Sequence, residues 1–388
     1  MTAIRNHIPF YKPWTDAREI AQASGAIRSG WLTTGPRVGR FEERIRRMVR
    51  SRHAVAVNSC TAALHLSLAA AGVGRGDEVI TSPYTFAATG EAILYVGARP
   101  ILVDIDPRTL NIDPEAAARA VTRRTRALVP VHIAGLPCDM RSLLGLARRK
   151  RLKVVDDAAH ALGSWVDGRP IGSLSDLTCF SFYATKNLTT GEGGMVTTDD
   201  AEAAQRVRRL SLHGLTHDAW KRYTRAGSWK YDVVEMGFKY NMTDLAAGLG
   251  LAQAAKFPAM QARRRHLAHR YTAALAGVDA FDPPPEPRGV VHAWHLYILR
   301  LRRGVLRIDR DRLIELLKQR GIATSVHFLP LHLHSFYRAT FGFRRGDFPH
   351  TERESARALS LPLYPGLTVT AQDRVASTLL ELARRYRR

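Results

Sequence analysis

The sequence predicts an α/β fold, with a large domain built on a mostly parallel sheet and a smaller α+β domain at the C-terminus. Three observations lead there. Short apolar runs alternate with helix-patterned segments from residue 54 to residue 198. That is the pattern of strands buried on both faces and joined by helical crossovers. The character changes after Leu251, where an arginine-rich helical stretch, a Pro283-Pro284-Pro285 break and an alternating segment follow. With 388 residues, 45% of them hydrophobic, the chain can fill one large core and a smaller one. The expected domains are 1–255 and 256–388.

The first element expected is a helix over 11–30. Thr15 is its cap, Ala17, Ile20, Ala21 and Ile27 form its apolar face, and Gly30 is its stop. The loop WLTTGP from Trp31 precedes a second helix over 37–49. A strand at 54–57 leads through Asn58-Ser59-Cys60-Thr61 into a helix over 62–71. Strands follow at 78–81, 100–103, 127–132 and 153–156, with helices between them at 87–96, 114–121 and 140–149. Asp113 and Asp139 are placed to cap the last two helices. Two further strands, 178–182 and 195–198, flank Lys186. In the second domain helices are expected over 257–275, 310–320 and 370–386, with strands at 293–301 and 325–331.

Composition narrows the function classes. No apolar stretch reaches the length of a membrane span, and the opening MTAIRNHIPFYKPW holds no signal-peptide core. Cys60, Cys138 and Cys179 stand in no metal-ligand spacing. The expectation is a cytoplasmic, reduced protein with no structural metal and no membrane partner. Lys and Arg number 58 against 35 acids, a net charge of +23. Such an excess suits nucleic acid. The arginine clusters are scattered, however, and only Tyr386 lies inside one of them, too little aromatic interleaving for a stacking platform. A scattered basic surface without nucleic acid is expected, and it would also attract phosphorylated substrates.

The chemistry centres on FSFYATKNLTTGEGGMVTT from Phe180. Strand interiors disfavour lysine, and a glycine cluster lets a backbone approach another group closely. By spacing alone, Lys186 is either a surface residue in a hairpin loop or an amine held in a pocket at a strand end. In the pocket, desolvation would make it a nucleophile able to form a Schiff base. Asp156-Asp157 ends a strand, either as a cap for the next turn or as a carboxylate for a protonated heterocyclic nitrogen. Ser59-Cys60-Thr61-Ala62 opens a helix, as a plain cap or as a phosphate site. Ser181 could reach the same phosphate or be an ordinary strand serine. Phe86 could cover a flat ring or belong to the core.

In this order, with Lys186 last, the features look like pyridoxal 5'-phosphate (PLP) chemistry. The sequence resembles the DegT/DnrJ/EryC1/StrS family of PLP-dependent sugar aminotransferases over nearly its whole length. The resemblance rests on WLTTGP, NSCTAALHLSL from Asn58, GDEVITSPYTFAAT from Gly76, DDAAHALGS from Asp156, FSFYATKNLTTGEGG from Phe180 and KYNMTD from Lys239. It implies an aspartate-aminotransferase-like fold (fold type I). It implies that Lys186 forms the internal aldimine and shuttles the proton, and that Asp157 holds the pyridine nitrogen protonated. His160 would sit near the phenolic oxygen and Phe86 would stack on the ring. Thr61, Ala62 and Ser181 would hold the phosphate. Asn241 would reach the phosphate of the neighbouring subunit's cofactor, in a homodimer with shared active sites.

Three departures stand out: Tyr183 where many members have histidine, Cys60 for a commoner Gly or Ala, and Asp156 for the usual Glu. A dehydratase branch carries His in place of the lysine, and Lys186 argues against it. VHIAGLPCDM from Val131, LSLHGLTHDAW from Leu210, HAWHLYIL from His292 and SVHFLPLHLH from Ser325 are similar to enzymes that aminate UDP-linked 4-keto sugars. The UDP-4-amino-4-deoxy-L-arabinose group is the nearest of these. The expected reaction moves an amino group from an amino acid, L-glutamate, to a nucleotide-linked keto sugar, a UDP-4-keto sugar. Antibiotic-sugar and aminocyclitol aminotransferases share several of these strings and remain alternatives. A basic nucleic-acid-binding protein keeping the fold is the alternative from another class. His327, His332 and His334 are expected as a second-domain wall of the site, not as metal ligands.

Overall fold

The computed structural model describes residues 7–216 and 231–388. In chain order the first elements are α1 (Ala17–Arg28), α2 (Pro36–Val49), β1 (His53–Val57), α3 (Cys60–Ala70), β2 (Glu78–Thr81), α4 (Ala87–Tyr95), β3 (Arg99–Leu102), α5 (Pro114–Arg119), β4 (Thr125–Val129) and α6 (Met140–Lys150). Then come β5 (Lys153–Asp157), β6 (Trp165–Val166), β7 (Arg169–Pro170), β8 (Leu177–Ser181), β9 (Gly194–Thr198) and α7 (Ala201–Leu210). The last are α8 (Asp244–Ala274), β10 (Phe281–Asp282), β11 (Val290–Val291), β12 (Tyr297–Leu301), α9 (Arg310–Gln319), α10 (Ser335–Phe341), α11 (Pro349–Arg357), β13 (Ala358–Leu361) and α12 (Val369–Arg385).

Seven strands form the main sheet in the order β1-β9-β8-β5-β4-β2-β3. The run from β8 to β3 is parallel, and β9 alone runs against both its neighbours. Every residue of β2, β8 and β9 is buried, as expected of strands covered by helices on both faces. A core built on Phe41, Ile45, Phe180 and Phe182 fills one side of this sheet. A second core around Tyr271, Trp294, Tyr297 and Leu359 belongs to the C-terminal part, where β10, β12 and β13 form an antiparallel sheet. Helix α8 runs unbroken through residues 255 and 256. Its first half packs on α1 and α2, and Leu267 and Tyr271 near its end enter the second core. No helix among the described residues is long and apolar enough to cross a membrane.

The structure corrects three expectations. Asp16, not Thr15, caps α1, and Glu19 accepts the Asp16 N–H in return. Ile20 and Ile27 are 70% and 59% exposed, while Glu19 and Ala26 are buried. The reason lies in α8, where Lys256 Nζ and Gln253 Nε2 each reach Glu19 Oε1 at 2.7 Å. A buried ion pair with its own hydrogen bonds turns the Glu19 side of α1 inward. Second, α8 begins at Asp244, well before residue 257, and tolerates Pro258 within it. Third, 325–331 is not a strand. Only Ser325 pairs with Ser360, and the sheet position is taken by β13, which no sequence signal marked. Helices α7, α10 and α11 were likewise not anticipated.

Candidate active site

Strands β5 and β8 lie side by side and parallel, with Asp157 opposite Cys179. Their C-terminal ends and the starts of α3 and α4 enclose a cavity of about 570 Å³. This is the region beyond the strand ends where open α/β sheets bind ligands. Thr61, Phe86, Asp157, His160, Ser181 and Lys186 all line it.

Lys186 does sit in a loop between antiparallel strands, since β8 pairs with β9. The loop folds inward, however. Phe182 N–H donates to Gly193 O at 2.8 Å, Thr190 N–H to Phe182 O at 2.9 Å, and Lys186 N–H to Tyr183 O at 2.9 Å. These bonds fold the segment back so that the half-buried Lys186 lines the cavity, while Tyr183 and Glu192 stay exposed. Burial of the amine pushes the Lys186 pKa down to about 8, partly offset by Cys60 and Asp157.

One wall is built on the start of α3 and could hold an anion. Ser59 caps α3 by accepting the Ala62 N–H at 3.1 Å. A Cβ at Gly194 would lie 2.3 Å from Ser59 O, so glycine is what lets β9 pass so near the start of α3. Ser59, Thr61 and Ser181 line the cavity beside this helix start, where free N–H groups favour phosphate.

The two adjacent acids are not equivalent. Asp157 faces the cavity. Its Oδ2 accepts the Thr89 hydroxyl at 2.6 Å, and its Oδ1 accepts the Ala159 N–H at 3.1 Å. Asp156, one residue earlier on the strand, is fully buried. It accepts the Thr178 hydroxyl at 3.3 Å and lies 3.6 Å from His132 Nε2.

Neutral aromatic groups make the opposite wall. His160 stacks on Phe328, with centroids 5.9 Å apart, and His327 Nδ1 lies 2.8 Å from Ser360 Oγ. Burial, then the Lys186 charge, holds His160 well below the usual histidine range, and the same causes bring His327 down to about 4. Phe86 is 64% exposed at the mouth of the cavity.

Two expected site residues do not line this cavity. Ala62 is buried and its N–H is taken by Ser59. Asn241 bridges to Val57 at the end of β1, and its Nδ2 donates to Thr34 Oγ1 at 2.7 Å. That contact joins KYNMTD to the WLTTGP loop, as does Asp244, whose carboxylate accepts the N–H groups of Arg37 and Val38 and so caps α2. Of the three histidines expected as a wall, only His327 reaches the cavity. His332 is buried against Glu352 at 2.9 Å, and His334 precedes α10. Part of LSLHGLTHDAW lies outside the described residues. The cavity also uses Thr85, His132, Glu192, His295 and Phe328. The strings around His132, His295 and Phe328 were marked only by resemblance, and nothing in their spacing announced a site.

Comparison with known proteins agrees with this geometry. The DegT/DnrJ/EryC1/StrS aminotransferase family model matches residues 13–380. The spore coat polysaccharide biosynthesis protein SpsC of Bacillus subtilis is 47% identical over 386 residues, 99% of both chains. Among solved structures, Spr1654 of Streptococcus pneumoniae in its PLP form is 36% identical with a TM-score of 0.91, covering 98% of this chain and 99% of that one. DesI, solved with its TDP-sugar product, is 37% identical with a TM-score of 0.88, covering 99% of this chain and 94% of that one.

Proposed function

This chain belongs to the DegT/DnrJ/EryC1/StrS aminotransferase family, and on that premise we propose that it moves an amino group from L-glutamate to a nucleotide-linked keto sugar, a UDP-4-keto sugar. The observation that carries the reading is the pairing of a desolvated amine, Lys186, with a carboxylate, Asp157, across one cavity beside the start of α3. This donor set fits PLP, the cofactor of the enzyme. Bound there, PLP supplies an electron sink that makes a neighbouring C–H acidic.

Lys186 would hold the cofactor. Its pKa near 8 leaves a useful share of Nζ neutral at physiological pH, ready to take a proton from the donor carbon and return it. Asp157 would hold the ring-nitrogen proton. Thr61, Ser181 and the start of α3 would bind the phosphate, with Ala62 beneath them. His160 would lie near the phenolic oxygen, and Phe86 would cover the ring. Phe328 and the neutral His295 and His327 would exclude water from the sugar's keto carbon.

The exposed Phe86 and Tyr183, at 64% and 46%, leave the mouth open to a second copy of the chain. We read the enzyme as a homodimer in which Asn241 acts at the partner's site. The two expected domains, 1–255 and 256–388, would both contribute walls.

The test is to incubate the PLP-loaded protein with L-glutamate and a panel of nucleotide-linked keto sugars, and to identify products by mass. Amination of a UDP-4-keto sugar with release of 2-oxoglutarate is expected, and no aminated product from the panel overturns the reading. The likeness to DesI favours a second reading, a TDP-linked sugar, which the same panel separates from the first.

A further inference from the structure

Asp157 is reached by a chain of two hydroxyls from α4 and the residues just before it. Thr89 Oγ1 lies 2.6 Å from Asp157 Oδ2, and Thr85 Oγ1 lies 2.7 Å from Thr89 Oγ1. All three residues are buried: Thr85 is 2% exposed, Thr89 1% and Asp157 6%.

The direction of this chain follows from counting hydrogens. An ionised carboxylate only accepts, and each hydroxyl carries one hydrogen. Thr89 therefore donates to Asp157. Its single hydrogen being committed, Thr89 can only accept from Thr85, so Thr85 donates to it. The Ala159 N–H holds the other carboxylate oxygen. Both oxygens are thus tied from the protein side. The terminal torsion of an aspartate is otherwise broad, and a hydrogen bond to a charged group in a buried setting is among the stronger ones.

We propose that Thr89, oriented by Thr85, is a positioning residue that fixes the plane of the Asp157 carboxylate toward the ring nitrogen of PLP. The proposal rests on the reading of Asp157 given above. Thr85 lines the cavity, and because its hydrogen points to Thr89 it offers that wall only lone pairs. Thr89 touches neither cofactor nor sugar in this scheme. It acts through Asp157 alone.

The experiment compares wild type, Thr89→Val, Thr89→Ser and Thr85→Val. Each apoprotein is titrated with PLP by absorbance, and the glutamate half-reaction is followed in single turnover. Melting temperatures check folding. Thr89→Val keeps the shape and removes the hydroxyl, so PLP affinity should fall about ten- to a hundredfold, with slower turnover of the bound form. Thr89→Ser restores the donor and should return both within about threefold of wild type. Thr85→Val, which leaves the Thr89 to Asp157 bond in place, should change affinity by about threefold.

Wild-type affinity in Thr89→Val, or a Thr89→Ser as defective as Thr89→Val, overturns the inference. If Thr89→Val does not fold, Thr89→Ala, which also removes the hydroxyl, takes its place with the same outcomes. A wild type that binds no PLP overturns the proposed function and this inference together. A wild type that binds PLP beside an equally tight Thr89→Val overturns the inference alone.

Discussion

The imidazole of His295 lies against that of His160, with ring centroids 4.3 Å apart and planes inclined by 33°. Asn187 Nδ2 donates to Ala293 O at 2.8 Å, so its Oδ1 faces His295 Nδ1 at 3.1 Å and assigns the ring hydrogen to that nitrogen. Burial, then the neighbouring His160 and Lys186 charges, holds His295 well below the ordinary histidine range.

A pH dependence of stability follows. A histidine whose folded pKa is depressed leaves the unfolded chain binding more protons, so stability is complete above the unfolded value and falls as pH drops toward the folded one. His327 sets the window, from 6.5 unfolded to about 4 folded, with His160 and His295 shifted in the same direction. Thermal unfolding of the apoprotein should show stability falling between those values. His327 alone accounts for roughly 3 kcal/mol, at about 1.4 kcal/mol per pKa unit. His327→Gln should flatten the curve, and an unchanged slope would contradict the assignment.

Lys186 makes a covalent prediction. Reduction of the PLP-loaded protein with borohydride should fix the cofactor to the peptide containing Lys186, read by mass spectrometry. Cofactor uptake needs the neutral amine, so its rate should climb with pH up to about 8, the value burial imposes. Labelling at another lysine, or a pH-independent uptake, would remove Lys186 from this role.

The two acids should separate cleanly. Asp157→Asn keeps the shape but replaces the charge that faces the cavity, and turnover should fall by orders of magnitude, on the order of 3–5 kcal/mol of barrier. Asp156→Asn, away from the cavity, should lower turnover less than about tenfold. Equal losses in the two variants, measured as kcat with folding checked by circular dichroism, would show that the choice between them is wrong.

Asn241 tests the shared site. Lys186→Ala and Asn241→Asp, each inactive alone, are mixed after subunit exchange has been demonstrated with tagged chains. In a heterodimer one site then holds both defects and the other neither, so activity should return to about half of wild type per heterodimer. Activity that stays at the level of the separate variants after exchange would rule out the shared site.

Much of this protein was legible along the chain because the signals are local. The strand and helix alternation from 54 to 198, the Asp113 and Asp139 caps, the helix start at Ser59 and the inter-strand position of Lys186 all depend on neighbours within a few residues. Tertiary structure decided what depended on distant partners. Glu19 faces inward and Ile20 outward because Lys256 and Gln253 wait on α8. Segment 325–331 leaves the sheet after one bridge, and its His327 and Phe328 close the cavity instead. Asp157 is oriented by Thr89, 68 residues away in the chain. Propensity and capping act through the backbone over one or two turns, whereas the direction of a buried polar side chain is set by whichever group satisfies it, and that group is brought near only by folding.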